Sequence, residues 1–188
     1  MDFKKQGNLQ DVYHHSIINK KVILDIRYIG ANLRETIENK LSYDLEGKCI
    51  TEGFIKPNSI SIVSFSSGQI FRGNQISFEV VFECDICLPV EGMKIECIAK
   101  NITKAGIRAE VDVPDEEVSP LVVFIARDHH INNNYYNDVA ENDIITVRVI
   151  GQRFELNDKY ITIIAEIIEP KKKYNTGGKK PRKIVIVK

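Results

Sequence analysis

Residues 91–170 alternate short apolar, β-branched runs with turn signals, and this is the pattern of a small closed β-barrel. Five strands are expected, at 93–101, 106–111, 121–126, 144–153 and 160–168. In the first, Ile95, Cys97 and Ala99 alternate on one face, as a half-buried strand requires. Thr103-Lys104-Ala105 and Asn157-Asp158 supply turns, and a long loop at 127–142 carries Asn132-Asn133-Asn134-Tyr135-Tyr136. Five strands are the count of an OB-fold. Phe78-Glu79-Val80-Val81-Phe82 leads into this region through Leu88-Pro89-Val90-Glu91-Gly92, so whatever precedes the barrel joins it with almost no linker.

The preceding segment reads as a mixed α/β unit. Val22, Ile23, Ile26 and Ile29 mark a strand at 21–29. Leu33, Ile37, Leu41 and Leu45 recur every four residues and predict a helix with one apolar stripe. Asn32 stands at its N-cap, Glu35 in capping-box position, and Gly47 where a glycine stops a helix. Strands are expected at 48–55, 59–65, 70–73 and 76–84, with a turn at Ser66-Ser67-Gly68. The chain thus divides into an N-terminal extension (1–20), an α+β domain of strand, helix and strands (21–90), the all-β barrel (91–170) and a basic tail (171–188). The tail ends in Ile184-Val185-Ile186-Val187, four β-branched residues that suggest a strand docking on this chain or on a partner.

Composition narrows the function classes. No apolar run approaches the 18 residues of a membrane span, so no membrane partner is expected. Met1-Asp2-Phe3-Lys4-Lys5 is not followed by an apolar stretch of signal-peptide type. Four cysteines without such a signal point to free thiols in a reducing compartment. The formal net charge of zero conceals an asymmetry: residues 92–170 hold 8 basic and 14 acidic side chains, whereas residues 171–188 hold 8 basic and none acidic. Polyanion binding is mostly charge neutralisation, so attraction to nucleic acid concentrates in the tail.

Several motifs invite chemical readings that their context does not support. Cys84-Asp85-Ile86-Cys87 has metal or redox spacing, but no second pair completes a zinc site and the motif ends a strand rather than opening a helix. His129-His130 and His14-His15 lack a nucleophile and an orienting acid in a recognisable set and read as surface residues. Asp115, Glu116 and Glu117 read as a solvated acidic loop. Gly177-Gly178 lacks the strand–loop–helix setting of a phosphate loop. No catalytic residue, cofactor or metal is expected, and a hydrolase has no supporting constellation.

Three stretches carry a family resemblance. Leu45-Glu46-Gly47-Lys48-Cys49 is similar to a leucine-rich helix running into Glu-Gly-x-Cys, Gly53-Phe54-Ile55 resembles a Gly-Tyr-Ile strand, and Gly73 with Phe78-Glu79-Val80-Val81-Phe82 resembles a strand leading into a barrel of the ribosomal S1 type. In this order over residues 21–168 they resemble the larger stalk subunit of multi-subunit DNA-directed RNA polymerases, the seventh subunit of eukaryotic polymerase II and its archaeal counterpart. The resemblance implies an RNP-like tip domain that plugs into the polymerase core and an OB barrel near the nascent RNA. It also implies a smaller stalk subunit as partner. Core attachment is then expected over 56–73, at Lys56, Ile60, Ile62, Phe65, Ile70 and Phe71. Weak RNA binding is expected from Lys104, Arg108, Phe124, Arg127 and Arg153 on or beside the barrel strands, and mainly from Lys171, Lys172, Lys173, Lys179, Lys180, Arg182 and Lys183. The family's aromatic positions fall here on Ala105, Arg108 and Ala126, which weakens stacking. The alternative is an OB-fold RNA-binding factor of translation or RNA processing. A stalk subunit implies the nucleus, or the cytoplasm or virion for a viral enzyme; the Ile and Asn bias would suit a protist or a large DNA virus with its own polymerase.

Overall fold

A computed structural model describes residues 12–113 and 118–169. The first unit is organised by one long strand pair. β1 (Tyr13–Asp25) runs antiparallel to β6 (Gln75–Cys87) over the full 13 residues of each, from Tyr13 opposite Cys87 to Asp25 opposite Gln75. On its other side β6 pairs in turn with β5 (Gln69–Arg72), β4 (Ser61–Phe65) and β3 (Gly53–Ile55), and β3 pairs with β2 (Cys49–Ile50). The strand expected from residue 21 therefore begins at Tyr13, and the lead-in before it is shorter than the sequence suggested. His14, His15, Asn19, Lys20 and Lys21 hide the strand in the sequence. The apolar alternation of β6 dictates the pairing, and most of these polar side chains lie exposed. The strand expected over 48–55 is instead a small hairpin, β2 and β3, turning at Thr51-Glu52.

Helix α1 (Leu33–Leu45) packs the predicted stripe on this sheet. Ile37, Leu41 and Leu45 are buried with Val22, Leu24, Phe78, Val80, Phe82, Cys84 and Ile86, and Leu33 is partly covered. Asn32 occupies the N-cap, but its side chain makes no capping bond; its carbonyl accepts from Thr36 N at 3.0 Å. Gly47 stops the helix in the left-handed region at φ 68°, its N–H donating to Ile55 O at 3.0 Å.

The barrel closes in the order β10-β11-β9-β8-β7, with β7 paired back to β10. Its strands are β7 (Lys94–Ile102), β8 (Gly106–Glu110), β9 (Leu121–Ala126), β10 (Ile144–Arg153) and β11 (Ile161–Ile167). Only β9 and β11 pair in parallel, and the whole is compatible with an OB-fold. Alternate residues fill it: Ile95, Cys97 and Ala99 face Ile107, Val123, Val147 and Ile163. Closure leaves the barrel no free strand edge.

Residues 127–142, expected as a loop, contain a 3-10 turn (Arg127–His129) and the short helix α2 (Asn134–Asp138), capped by the Asn133 side chain on Tyr136 N. His130 is buried rather than at the surface. Its Nδ1 lies 2.8 Å from Ala126 O and its Nε2 accepts from Ile167 N at 3.0 Å. One proton on Nδ1 satisfies both bonds, so the ring sits as the neutral tautomer, stacked on Tyr136 at 4.9 Å. The two units share packing: Cys49, Phe54 and Cys87 join the barrel core. Cys49 N donates to Asp158 O at 2.8 Å, and Asn157 N to Cys49 O at 2.9 Å.

Candidate docking and nucleic-acid surfaces

The six residues expected to attach a core enzyme separate into different environments. Ile60 and Ile62 are buried beneath α1 as part of this unit's core: in β4, Ile62 points to the helix and Val63 points out. Phe65 is half-covered, edge-on to Phe78 with ring centroids 6.4 Å apart. Lys56 is half-exposed and lies over the Tyr13 ring at 5.0 Å, near the junction with the barrel. Only Ile70 (85% exposed) and Phe71 (41%) stand out at the surface.

Those two have neighbours that the sequence pattern does not reveal. Ile26 N donates to Asn74 O at 2.8 Å, which sets the turn after β1 beside the β5–β6 hairpin. Ile26 (53%) and Tyr28 (62%) are therefore exposed at the same end of the sheet. Lys21 Nζ and the Arg72 guanidinium lie 4.9 and 5.6 Å from the Phe71 ring. Arg27 is held by Asp25 through Nε at 3.0 Å, and this bond keeps the Asp25 carboxyl below its usual range. The sequence pattern puts Ile26 inside the strand expected at 21–29; the structure ends β1 at Asp25 and turns the chain over Ile26–Tyr28, which leaves Ile26 and Tyr28 exposed. Four exposed large apolar side chains with basic neighbours, at one end of a sheet, form the kind of patch that marks an interaction site.

On the barrel, the outer faces of β8, β9 and β11 bring together part of the expected nucleic-acid set. Arg108 is opposite Phe124, and Phe124 is opposite Ile164. The Phe124 ring lies over Gly106, where an added Cβ would meet its Cζ at 3.0 Å and Ile125 O at 2.4 Å. This half-exposed ring is one π face on the strands with which OB-folds hold oligonucleotides. Lys104 is exposed in the β7–β8 turn. Carboxylates offset several of the cations. Arg108 pairs with Glu110 at 2.7 Å and Arg153 approaches Glu155 at 3.5 Å. Arg127 donates to Thr103 O at 3.3 Å and lies 5.6 Å from the Tyr136 ring. Lys171, Lys172, Lys173, Lys179, Lys180, Arg182 and Lys183 lie outside the described residues, as do Asp115, Glu116, Glu117 and Ile184-Val185-Ile186-Val187.

Cys84 and Cys87 point into different cores, one beneath α1 and the other in the barrel, so the pair cannot chelate one ion. All four cysteines are buried, and Cys49, Cys84 and Cys97 carry free thiols. Among the described residues no three His, Cys, Asp or Glu side chains gather as a metal site, and no helix is long and apolar enough to cross a membrane.

The fold presents two candidate surfaces, an apolar-basic end of the sheet and an aromatic-cationic face of the barrel. No family model matches the chain. A protein of Acanthamoeba polyphaga mimivirus described as a DNA-directed RNA polymerase subunit is 27% identical over 171 residues, covering 85% of this chain and 84% of that protein. DNA-directed RNA polymerase II subunit RPB7 of Glycine max is 27% identical over 117 residues, and subunit 7 of Arabidopsis thaliana RNA polymerase II is 26% identical over 118. The matches span 62% of each plant protein. All three relatives are described as subunits of DNA-directed RNA polymerases, the class of enzyme to which the residue pattern pointed.

Proposed function

We propose that this chain is the non-catalytic larger stalk subunit of a multi-subunit DNA-directed RNA polymerase. The observation that carries this reading is the mimivirus relative, similar across both the sheet unit and the barrel. On this reading the sheet-and-helix unit is the tip that enters the core enzyme. The contact is made by Ile70, Phe71, Ile26 and Tyr28, with Lys21 and Arg72 at the rim. The barrel, of the ribosomal S1 type, faces emerging RNA with Phe124, Arg108, Lys104, Arg127 and Arg153. Four of these five are cations in an acidic barrel, so the tail supplies most of the attraction. A smaller stalk subunit is the second partner. The site of action follows the polymerase, the nucleus for a nuclear enzyme and the cytoplasm or virion for a viral one.

Affinity capture of the tagged chain with mass spectrometry tests the reading. Recovery of large polymerase subunits is the expected result. Ribosomal proteins without polymerase subunits would instead indicate an RNA-binding factor of translation.

A further inference from the structure

We propose that the C-terminal segment Ile184-Val185-Ile186-Val187 of this chain adds as a strand to the free edge of β1, in a groove between that edge and the C-terminal half of α1. Beta-branched residues in succession favour extended backbone, and an extended segment gains most where a sheet offers unpaired N–H and C=O groups. The barrel offers none, because its five strands close on themselves. In the sheet, β2 is two residues long, β5 is four, and the Ile62 carbonyl of β4 accepts from the Arg34 guanidinium. β1 is different: no described strand pairs with its outer edge from Ser16 to Leu24. A long edge of this kind is normally covered or broken.

The groove has the shape and lining for such a strand. Two cavities of about 680 and 260 Å³ share Lys20, Asp44 and Leu45 and so run on along β1. Their apolar walls are Ile18, Leu41, Leu45, Ile50 and Leu156. Alternate side chains of an added strand, Ile184 and Ile186, would face these walls, because residues two apart share a face. Asp44 and Glu52 line the groove, but so do Lys20, Lys21, Lys40 and Lys48, and Asp44 is paired with Lys40 at 3.0 Å, so the fit of the segment rests on its apolar side chains and not on charge.

The connection is long enough. From Glu169 to Ile184 the chain spans up to about 50 Å when extended and about 21 Å as a root-mean-square coil containing Gly177-Gly178. β11 covers about 20 Å from its start, just after Asn157 at the groove, to its end. The tail therefore needs only to run back along the barrel. This proposal does not depend on the polymerase reading.

Amide hydrogen exchange tests it on three proteins: the full chain, the chain ending at Lys183, and full-length Ile186→Lys. Alternate amides between Ser16 and Leu24 should exchange about tenfold more slowly in the full chain than in either variant, whatever the protein concentration. An Asn19→Cys, Val185→Cys double variant should form an intrachain disulfide under mild oxidant. Equal exchange in all three proteins would overturn the proposal. So would protection that rises with concentration, which would place a second copy at the edge. Protection that survives truncation and appears only with polymerase subunits bound would give the edge to another chain and equally overturn it.

Discussion

His130 and His129 are neighbours in sequence with opposite roles. His129 is exposed, whereas His130 links Ala126 O to Ile167 N and stacks on Tyr136. His130→Ala would orphan the Ile167 N–H and remove the stack, so a loss of about 2–4 kcal/mol is expected. His129→Ala should change stability by less than about 0.5 kcal/mol. Urea titrations of the two variants check this: equal midpoints would refute the linking role. The cysteines make a second prediction at this scale. Burial pushes the Cys49 and Cys84 thiols up to about 11 and that of Cys97 up to about 12, from an ordinary 9.0. Below pH 9.0 the thiols are protonated folded or unfolded, and they contribute no pH dependence. Above it the unfolded chain ionises first, so stability should fall as pH rises from about 9 towards 12. Thermal melts at pH 7, 9 and 10.5 should show the decline, and iodoacetamide should label the native protein slowly at pH 8 but the unfolded protein rapidly.

At the scale of elements, α1 is where the sequence was most legible. A four-residue apolar repeat ending at a glycine has one economical solution, a helix with its stripe on a sheet, and Ile37, Leu41 and Leu45 are buried as the repeat predicts. Leu41→Ala should cost about 2–5 kcal/mol with an unchanged urea m-value. A shift well below that range would mean the helix face relaxes freely, contrary to its burial at 2% exposure. The barrel strands were legible for the same reason, through a period of two bounded by turn residues. β1 was not, because long-range pairing with β6 decides its state while polar residues, among them His14, His15, Asn19, Lys20 and Lys21, interrupt its apolar pattern. The proposed attachment patch was half legible. Ile70 and Phe71 are large apolar residues at a hairpin, and both stand exposed. Ile60 and Ile62 have the same composition but the opposite exposure, because register, invisible in one sequence, decides which face they take.

At the scale of the whole molecule, the two candidate surfaces lie on separate units and can be disabled separately. Ile70→Ser with Phe71→Ser should leave the unfolding free energy from urea titration within about 1 kcal/mol of the parent, since both side chains are already exposed, yet reduce recovery of large polymerase subunits at least several-fold. Undiminished recovery would move the attachment elsewhere. Phe65 is unsuited to this test because it packs on Phe78. For RNA, removal of residues 171–188 should abolish most binding at low salt, and the full chain should show a log–log salt slope of up to about −5 if all seven cations from Lys171 to Lys183 engage. Retained affinity after truncation would make the Phe124–Arg108 face the principal site.

The long β1–β6 ladder also sets a timetable for the nascent protein. Its paired residues stand from fifty apart, Asp25 with Gln75, to seventy-four apart, Tyr13 with Cys87. β1 leaves the ribosome first and has to wait for its partner, and at about 5–20 residues per second that wait is several seconds. The helix and the small hairpins can form locally in the interval. The sheet that joins them cannot form until Cys87 has emerged, and Cys87 packs in the barrel core. Completion of the ladder and the first closure of the barrel are thus coupled late in synthesis, and an upstream strand left waiting is the segment for which a chaperone would have most use.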